Sequence, residues 1–317
     1  MQTTHSRRLF LQRASLGLAG LGLLENFATA GAPFPHTGSP RLLLSLAAYS
    51  FRDYFKDTNH RRDKESDPSR RIDLFQFLDY CAAHGCLGAE LTSYYFPADV
   101  NTDFLIRLRR HAFLRGVAVS GTAVGNTFTA PKGEARDKEI AHVKKWIDHA
   151  RVLGAPHIRV FAGNAKDQTK EEAKNNCIAA LEECGDYAGQ AGIFLGIENH
   201  GGIVAEPADL LDIVRAVKSP WIGINLDTGN FRTDDPYRDL AACAPYAVNV
   251  QMKGEIHPRG SKTSQPADLP RLVKILRDAN YQGYVALEYE SAEDPWQGVP
   301  RLLRQMKELF TDPGKAS

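Results

Sequence analysis

The stretch Ile193-Phe194-Leu195-Gly196-Ile197-Glu198-Asn199-His200-Gly201-Gly202 decides the fold of this chain. An apolar run of this length flanked by glycine reads as a strand buried on both faces. Its charge comes only at the carboxyl end, followed by glycines that let the backbone turn sharply. In parallel α/β folds that end of the sheet is where ligands bind. The pattern recurs in Ile224-Asn225-Leu226-Asp227, Val248-Asn249-Val250-Gln251 and Val285-Ala286-Leu287-Glu288.

Working outward, apolar runs alternate with amphipathic stretches eight times. The expected strands are Leu42–Phe51, Leu87–Leu91, Val117–Val124, His157–Phe161, Ile193–Glu198, Ile222–Asp227, Ala247–Gln251 and Tyr284–Glu288. Between them apolar residues recur near every 3.6 positions, as in Leu210-Leu211-Ile213-Val214-Val217. Gly85, Gly116, Gly154, Gly192 and Gly283 each stand between a helical pattern and a strand, where left-handed caps are expected. Eight such units predict a single-domain α/β fold, a (β/α)8 TIM barrel over residues 42–312, in preference to an open doubly wound sheet. Two charged connections, Arg52–Pro68 and Lys253–Asp268, follow strands one and seven and are candidate lids.

The first thirty residues stand apart. Ser6-Arg7-Arg8-Leu9-Phe10-Leu11-Gln12 has the form of a twin-arginine export motif, an apolar run spans Ala14 to Leu24, and Ala28-Thr29-Ala30 reads as a cleavage site. Residues 1–30 are therefore expected to be a signal peptide and 31–41 a linker, with the mature protein periplasmic or extracellular. The apolar run is short for a membrane span, so no stable membrane insertion is expected after cleavage. The chain is 43% hydrophobic and 24% charged with a net charge of +1, which gives no electrostatic footprint for nucleic acid. Cys81, Cys86, Cys177, Cys184 and Cys243 show no metal-ribbon spacing and read mostly as small buried hydrophobes, a Cys81–Cys86 bridge staying open.

Glu198, Asp227, Gln251 and Glu288 would project together from strand ends five to eight. Three carboxylates meeting there repel unless protonated or bound to a cation. Oxygen donors of this kind suit Mn²⁺ first, with Mg²⁺ or Co²⁺ as alternatives. Such an ion would polarise a sugar carbonyl and its neighbouring hydroxyl. Glu90, Arg159, His200 and His257 are candidate substrate contacts, and Phe51, Tyr95 and Trp296 are candidate stacking surfaces for a sugar ring.

Ile197-Glu198-Asn199-His200-Gly201-Gly202 and Leu226-Asp227-Thr228-Gly229-Asn230 resemble the sugar phosphate isomerase/epimerase-like branch of the xylose isomerase-like barrels. In that family the metal ligands are usually Glu, Asp, His and Glu, which fall here on Glu198, Asp227, Gln251 and Glu288. Gln251 departs from the usual histidine. The resemblance implies that Glu198 and Glu288 shuttle a proton on a carbohydrate, with Lys253 beside the developing enediolate. It leaves three readings: an isomerase or epimerase acting on an unphosphorylated sugar, a lyase or hydrolase of 3-keto-glycosides, or a barrel that binds sugar without turnover. Apurinic endonucleases of the same superfamily gather many histidines, and these strand ends are histidine-poor. A homo-oligomer is compatible with all three.

Overall fold

The computed structural model describes residues 31–311 apart from Arg61, Asp63 and Glu65. The twin-arginine segment lies outside the described residues.

Each apolar run becomes a parallel strand: β1 (Arg41–Ala47), β2 (Gly88–Thr92), β3 (Ala118–Ala123), β4 (His157–Val160), β5 (Phe194–Glu198), β6 (Ile222–Asp227), β7 (Ala247–Met252) and β10 (Gln282–Leu287). They close in the order β1-β10-β7-β6-β5-β4-β3-β2. A minor antiparallel pair, β8 (Glu255–Ile256) and β9 (Gln265–Pro266), folds the loop after β7 on itself. The helices form the outer ring: α1 (Leu74–Ala83), α2 (Thr102–Leu114), α3 (Glu134–Leu153), α4 (Lys170–Gln190), α5 (Pro207–Ala216), α6 (Pro236–Cys243), α7 (Leu269–Asp278) and α8 (Pro295–Thr311). The apolar core fills the layer between strands and helices, as the two-sided burial of parallel strands requires.

Local chemistry explains the boundaries. Asp73 caps α1 and Thr169 caps α4, each in a reciprocal box with the residue three positions on, Gln76 and Glu172. Two expectations need correction. The first strand stops at Ala47, and Ala48–Phe51 form a 3-10 turn that carries Tyr49 to the carboxyl-end mouth of the barrel. Gly283 is not a left-handed cap: it lies inside β10, and Asn280 takes the positive φ of 53° instead. Asparagine tolerates that conformation. Gly283 is needed for another reason, since a Cβ there would stand 2.6 Å from the Tyr281 hydroxyl.

Residues 31–41 are docked rather than a free linker. Phe34 N–H donates to the Pro245 carbonyl at 3.0 Å, and its ring meets Phe194 edge-on at 5.5 Å. Asn280 Nδ2 donates to the His36 carbonyl at 3.0 Å. The segment thus packs under the amino-terminal ends of β5 and β10. All five cysteines are free and buried, so there is no Cys81–Cys86 bridge. Burial holds the Cys81 thiol well above its usual range. Among the described residues no helix is long and apolar enough to cross a membrane.

Candidate active site

Two polar layers stand inside the carboxyl-terminal half of the barrel. Strand register builds the lower one: Asn225 pairs with Asn249, Asp227 with Gln251, and Gln251 with Ala286. Asn249 Nδ2 donates to Glu90 Oε2 and to Asn225 Oδ1, both at 2.8 Å. Asn225 Nδ2 donates to Gln251 Oε1 at 2.5 Å. Gln251 Nε2 closes the ring on Glu90 Oε1 at 2.6 Å and also reaches Glu288 Oε1 at 3.3 Å. A carboxylate only accepts, so Glu90 fixes every amide in the ring: each must turn its nitrogen along the chain of donors that ends on Glu90. Glu90→Leu leaves two buried amide donors short of an acceptor and is expected to cost a net ~2–5 kcal/mol of stability. Glu90→Gln, which keeps one acceptor, should cost less. Urea unfolding measures both, and a loss below ~1 kcal/mol for the leucine variant contradicts the ring's role.

The upper layer is ionic. Lys253 lies two residues past Gln251 and is 9% exposed. Its Nζ stands 3.2 Å from Asp227 Oδ2 and 3.3 Å from Glu288 Oε2, and is in direct contact with Glu290 Oε2. Burial alone would lower the Lys253 pKa, but Asp227, Glu288 and Glu290 together raise it well above its ordinary value. Asp227 Oδ1 accepts the Gly229 N–H at 2.8 Å, while Oδ2 meets only the ammonium, off a hydrogen-bond direction. Burial raises Asp227 to about 6, against the pull of Lys253. Glu288 rises to about 8 for the same reason. Glu290 is held below the usual range because Lys253 outweighs its burial.

Glu198 stands at the end of β5, 3% exposed. Arg159 Nε pairs with its Oε2 at 2.9 Å, and Asn230 Nδ2 donates to its Oε1 at 2.7 Å. Burial raises Glu198 to about 7, with Arg159 pulling it down and Glu288 pushing it up. Asn199 holds the neighbouring strand end: its side chain accepts from Asp227 N–H and donates to the Asp227 carbonyl, at 2.8 and 2.9 Å. Gly202 then passes so close to Gly163 that a Cβ would lie 2.2 Å from its carbonyl oxygen, at a φ of 56°. The double glycine of the motif is what makes that crossing possible.

A cavity of about 170 Å³ opens above the ionic layer, lined by Tyr49, His60, Tyr94, Arg159, Phe161, Glu198, His200, Lys253, Glu288 and Glu290. A second, of about 280 Å³, shares Phe161 and His200 with it and continues past Asn126, Thr127, Asn164 and Lys166. The structure thus brings Glu198, Glu288, Lys253, Arg159 and His200 to one cavity. Asp227 and Gln251 lie beneath its floor, and Glu90 lies deeper still as an acceptor in the amide ring, so it does not face a ligand. His257 follows β8 and is not among the lining residues. Phe51 and Tyr95 are core, with Trp296 packed on Phe51 at 4.6 Å.

The aromatic walls come instead from Tyr49, Tyr94, Phe161 and His60. His60 stacks on Tyr94 at 4.5 Å, and Asn59 N–H donates to the Tyr94 carbonyl at 2.9 Å. The Arg52–Pro68 connection therefore does reach over the cavity. Glu290 was legible in principle: period two from Glu288 puts it on the same side of the chain. Tyr94 and His60 carried no such signal.

As disposed, the donors do not fit a four-ligand divalent ion. Gln251 turns its nitrogen, not its oxygen, toward Glu288. Both Glu198 oxygens are engaged by Arg159 and Asn230. Asp227 and Glu288 do share a cation, but it is the Lys253 ammonium. Among the described residues no group of three His, Cys, Asp or Glu side chains could hold a metal ion.

Comparison with known proteins places these features in context. The profile of the family described as xylose isomerase-like TIM barrel matches residues 78–308. The chain is similar to a Xenopus laevis protein named as a hydroxypyruvate isomerase, 23% identical over 183 residues, 53% of this chain and 66% of that one. It is also similar to the 3-oxo-isoapionate decarboxylase of Pectobacterium atrosepticum, 28% identical over 184 residues, 57% of this chain and 55% of that one. The chain thus spans less than two thirds of the length of one of these relatives and about two thirds of the other. Among solved structures, the zinc-bound IOLI protein shares the fold, with a TM-score of 0.65 at 17% identity over 85% of this chain and 97% of that one.

Proposed function

The chain belongs to the xylose isomerase-like TIM barrel family, and from that premise we propose that it is an enzyme that isomerises or epimerises a small unphosphorylated carbohydrate by moving a proton next to a carbonyl. One observation carries this reading. Two glutamates with pKa values near neutrality, Glu198 at about 7 and Glu288 at about 8, line one cavity with an ammonium between the strands that bear them. Proton transfer is fastest when acid and base pKa values lie near the working pH. The Glu198 carboxylate takes the proton from the carbon beside the carbonyl, and the C–H electrons pass to the carbonyl oxygen. Lys253 faces the enediolate that forms. Glu288, protonated, returns a proton to the opposite face of the same carbon in an epimerase; in an isomerase it protonates the former carbonyl carbon while the neighbouring hydroxyl passes its proton to the former carbonyl oxygen and becomes the new carbonyl. Arg159 holds Glu198 in place, and the aromatic walls take the apolar face of a sugar ring.

A second reading has its own support. The cavity beyond Phe161 and His200 gives room for a leaving group. There the enediolate electrons would expel an aglycone, as in a 3-keto-glycoside lyase, and the decarboxylase relative also breaks a bond next to a carbonyl. Incubation with keto-sugars and 3-keto-glycosides separates the two, an unsaturated sugar product marking the lyase. Binding of these sugars with no turnover of any would sink both in favour of a non-catalytic barrel. Mn²⁺, the cofactor suggested by the sequence, would have to compete with the Lys253 ammonium for Asp227 and Glu288.

The pH profile follows from the two carboxyls. Glu198 must be ionised, so the rate rises with pH through about 7; Glu288 must be protonated, so the rate falls as pH rises through about 8. We expect a narrow bell with its maximum between these values, the limbs belonging to the coupled pair rather than to either residue alone. A rate flat across this range contradicts the assignment.

Export by the twin-arginine route is part of the proposal. Cell fractionation should find the protein outside the cytoplasm, and Arg7→Lys with Arg8→Lys should retain it inside; an unchanged distribution rejects the signal.

A further inference from the structure

We propose that the Lys253 ammonium is the resident cation of this site, standing among the carboxylates that the sequence marks as candidate metal ligands, so that the chemistry runs without a divalent ion. The inference deepens the proton-transfer reading and rests on it. Four observations on different residues converge.

The ammonium makes ion pairs at once with Asp227, at the end of β6, and with Glu288 and Glu290, just past β10. Its seat is built: a Cβ on Gly229 would stand 2.9 Å from Lys253 Cδ and 3.1 Å from its Cβ, so only glycine there leaves the lysine stem its path. The amide of Gln251 is locked by Glu90 with its nitrogen toward Glu288, which supplies a donor to the carboxylate where a metal site would need an oxygen. Glu198 is balanced separately by Arg159 and Asn230. A divalent ion placed among Asp227 and Glu288 would have to expel the ammonium, turn Gln251 against its ring, and strip Glu198 of its partners.

The substitution also narrows the substrate. One positive charge polarises a carbonyl less than a divalent ion does. It suits a carbon acid already activated by a free ketone, such as a keto-sugar or 3-keto-glycoside, better than one whose carbonyl and hydroxyl must both be gripped by a metal.

The test is metal content and metal binding of the full-length protein purified without chelator, by elemental analysis and by calorimetric titration with MnCl₂ and ZnCl₂. The native protein is expected to carry only traces and to show no site tighter than ~1 mM. Lys253→Met, which removes the ammonium from between Asp227, Glu288 and Glu290, is expected to gain a site of ~10 μM or tighter. About one ion per native chain, or a tight native site, overturns the proposal. A folded Lys253→Met that gains no site overturns the claim that ammonium and ion compete for one place. If that variant does not fold, the native measurement decides alone. Neither arm needs a substrate, so the titration identifies the resident cation even in a protein inactive on every sugar, whereas turnover that survives chelation supports this inference and the proposed function together.

Discussion

Glu198→Gln is expected to lower turnover by roughly 10²–10⁴-fold, the range that a positioned general base contributes. The carboxylate ends β5 and faces the cavity, and burial brings its pKa to about 7. The amide has the same shape and still accepts from Asn230, but it cannot take a proton. The substitution has a structural cost as well. It removes the carboxylate counter-ion of Arg159, which is 3% exposed and keeps its bond to the Val124 carbonyl at 2.8 Å, a hydrogen bond to Tyr94 and the face of Phe161. Leaving one partner of a buried ion pair alone costs about 3–5 kcal/mol. Turnover is therefore to be measured per folded molecule, checked by circular dichroism. Activity within about tenfold of native, in a folded variant, removes Glu198 from the role of base.

Lys253→Met is expected to lower turnover by roughly 10²–10³-fold, the loss typical when one preorganised donor to a developing oxyanion is removed. The apolar replacement fills much of the stem's volume beside Gly229 but offers no charge to an enediolate. The effect should fall on kcat, because the interaction strengthens only as negative charge develops on the substrate oxygen. A variant that raises KM and leaves kcat unchanged would make Lys253 a binding residue instead. Lys253→Arg should recover little, since the wider guanidinium does not fit a seat shaped around a single Nζ.

The fold was legible because a parallel barrel strand is a strong signal: a continuous apolar run closed by one polar residue at its carboxyl end. All eight runs became barrel strands. Errors occurred where chain direction changes. Leu42–Phe51 reads as one strand because Ala48, Ser50 and Phe51 are buried, yet their burial is in a 3-10 turn. Gly283 looks like a cap from its place in the chain, but the cap is Asn280, and the glycine answers to the Tyr281 hydroxyl.

The site was half legible. Strand-end position placed Glu198, Glu288 and Lys253 at the mouth of the barrel, where they line one cavity, because residue type and period two suffice to aim a side chain there. Depth along the strand was not visible. Glu90 and Gln251 are chemically as suitable as their neighbours, but they stand one level lower and spend their polar groups on each other. Which end of the Gln251 amide faces Glu288 depends on a carboxylate 161 positions away in the chain. The aromatic walls came from turns and from a charged connection, where no periodicity announces direction.

Exchange of substrate carbon-bound hydrogen with solvent tests the central claim most directly. Native protein incubated with keto-sugars and 3-keto-glycosides in D₂O should place deuterium on the carbon next to the carbonyl, faster than the uncatalysed background, and Glu198→Gln should not. Exchange needs only the first proton transfer, so it is read whether the reaction ends in isomerisation, epimerisation or elimination. Sugars that bind in the cavity yet gain no deuterium above background would contradict the account and leave a barrel that holds carbohydrate without transforming it.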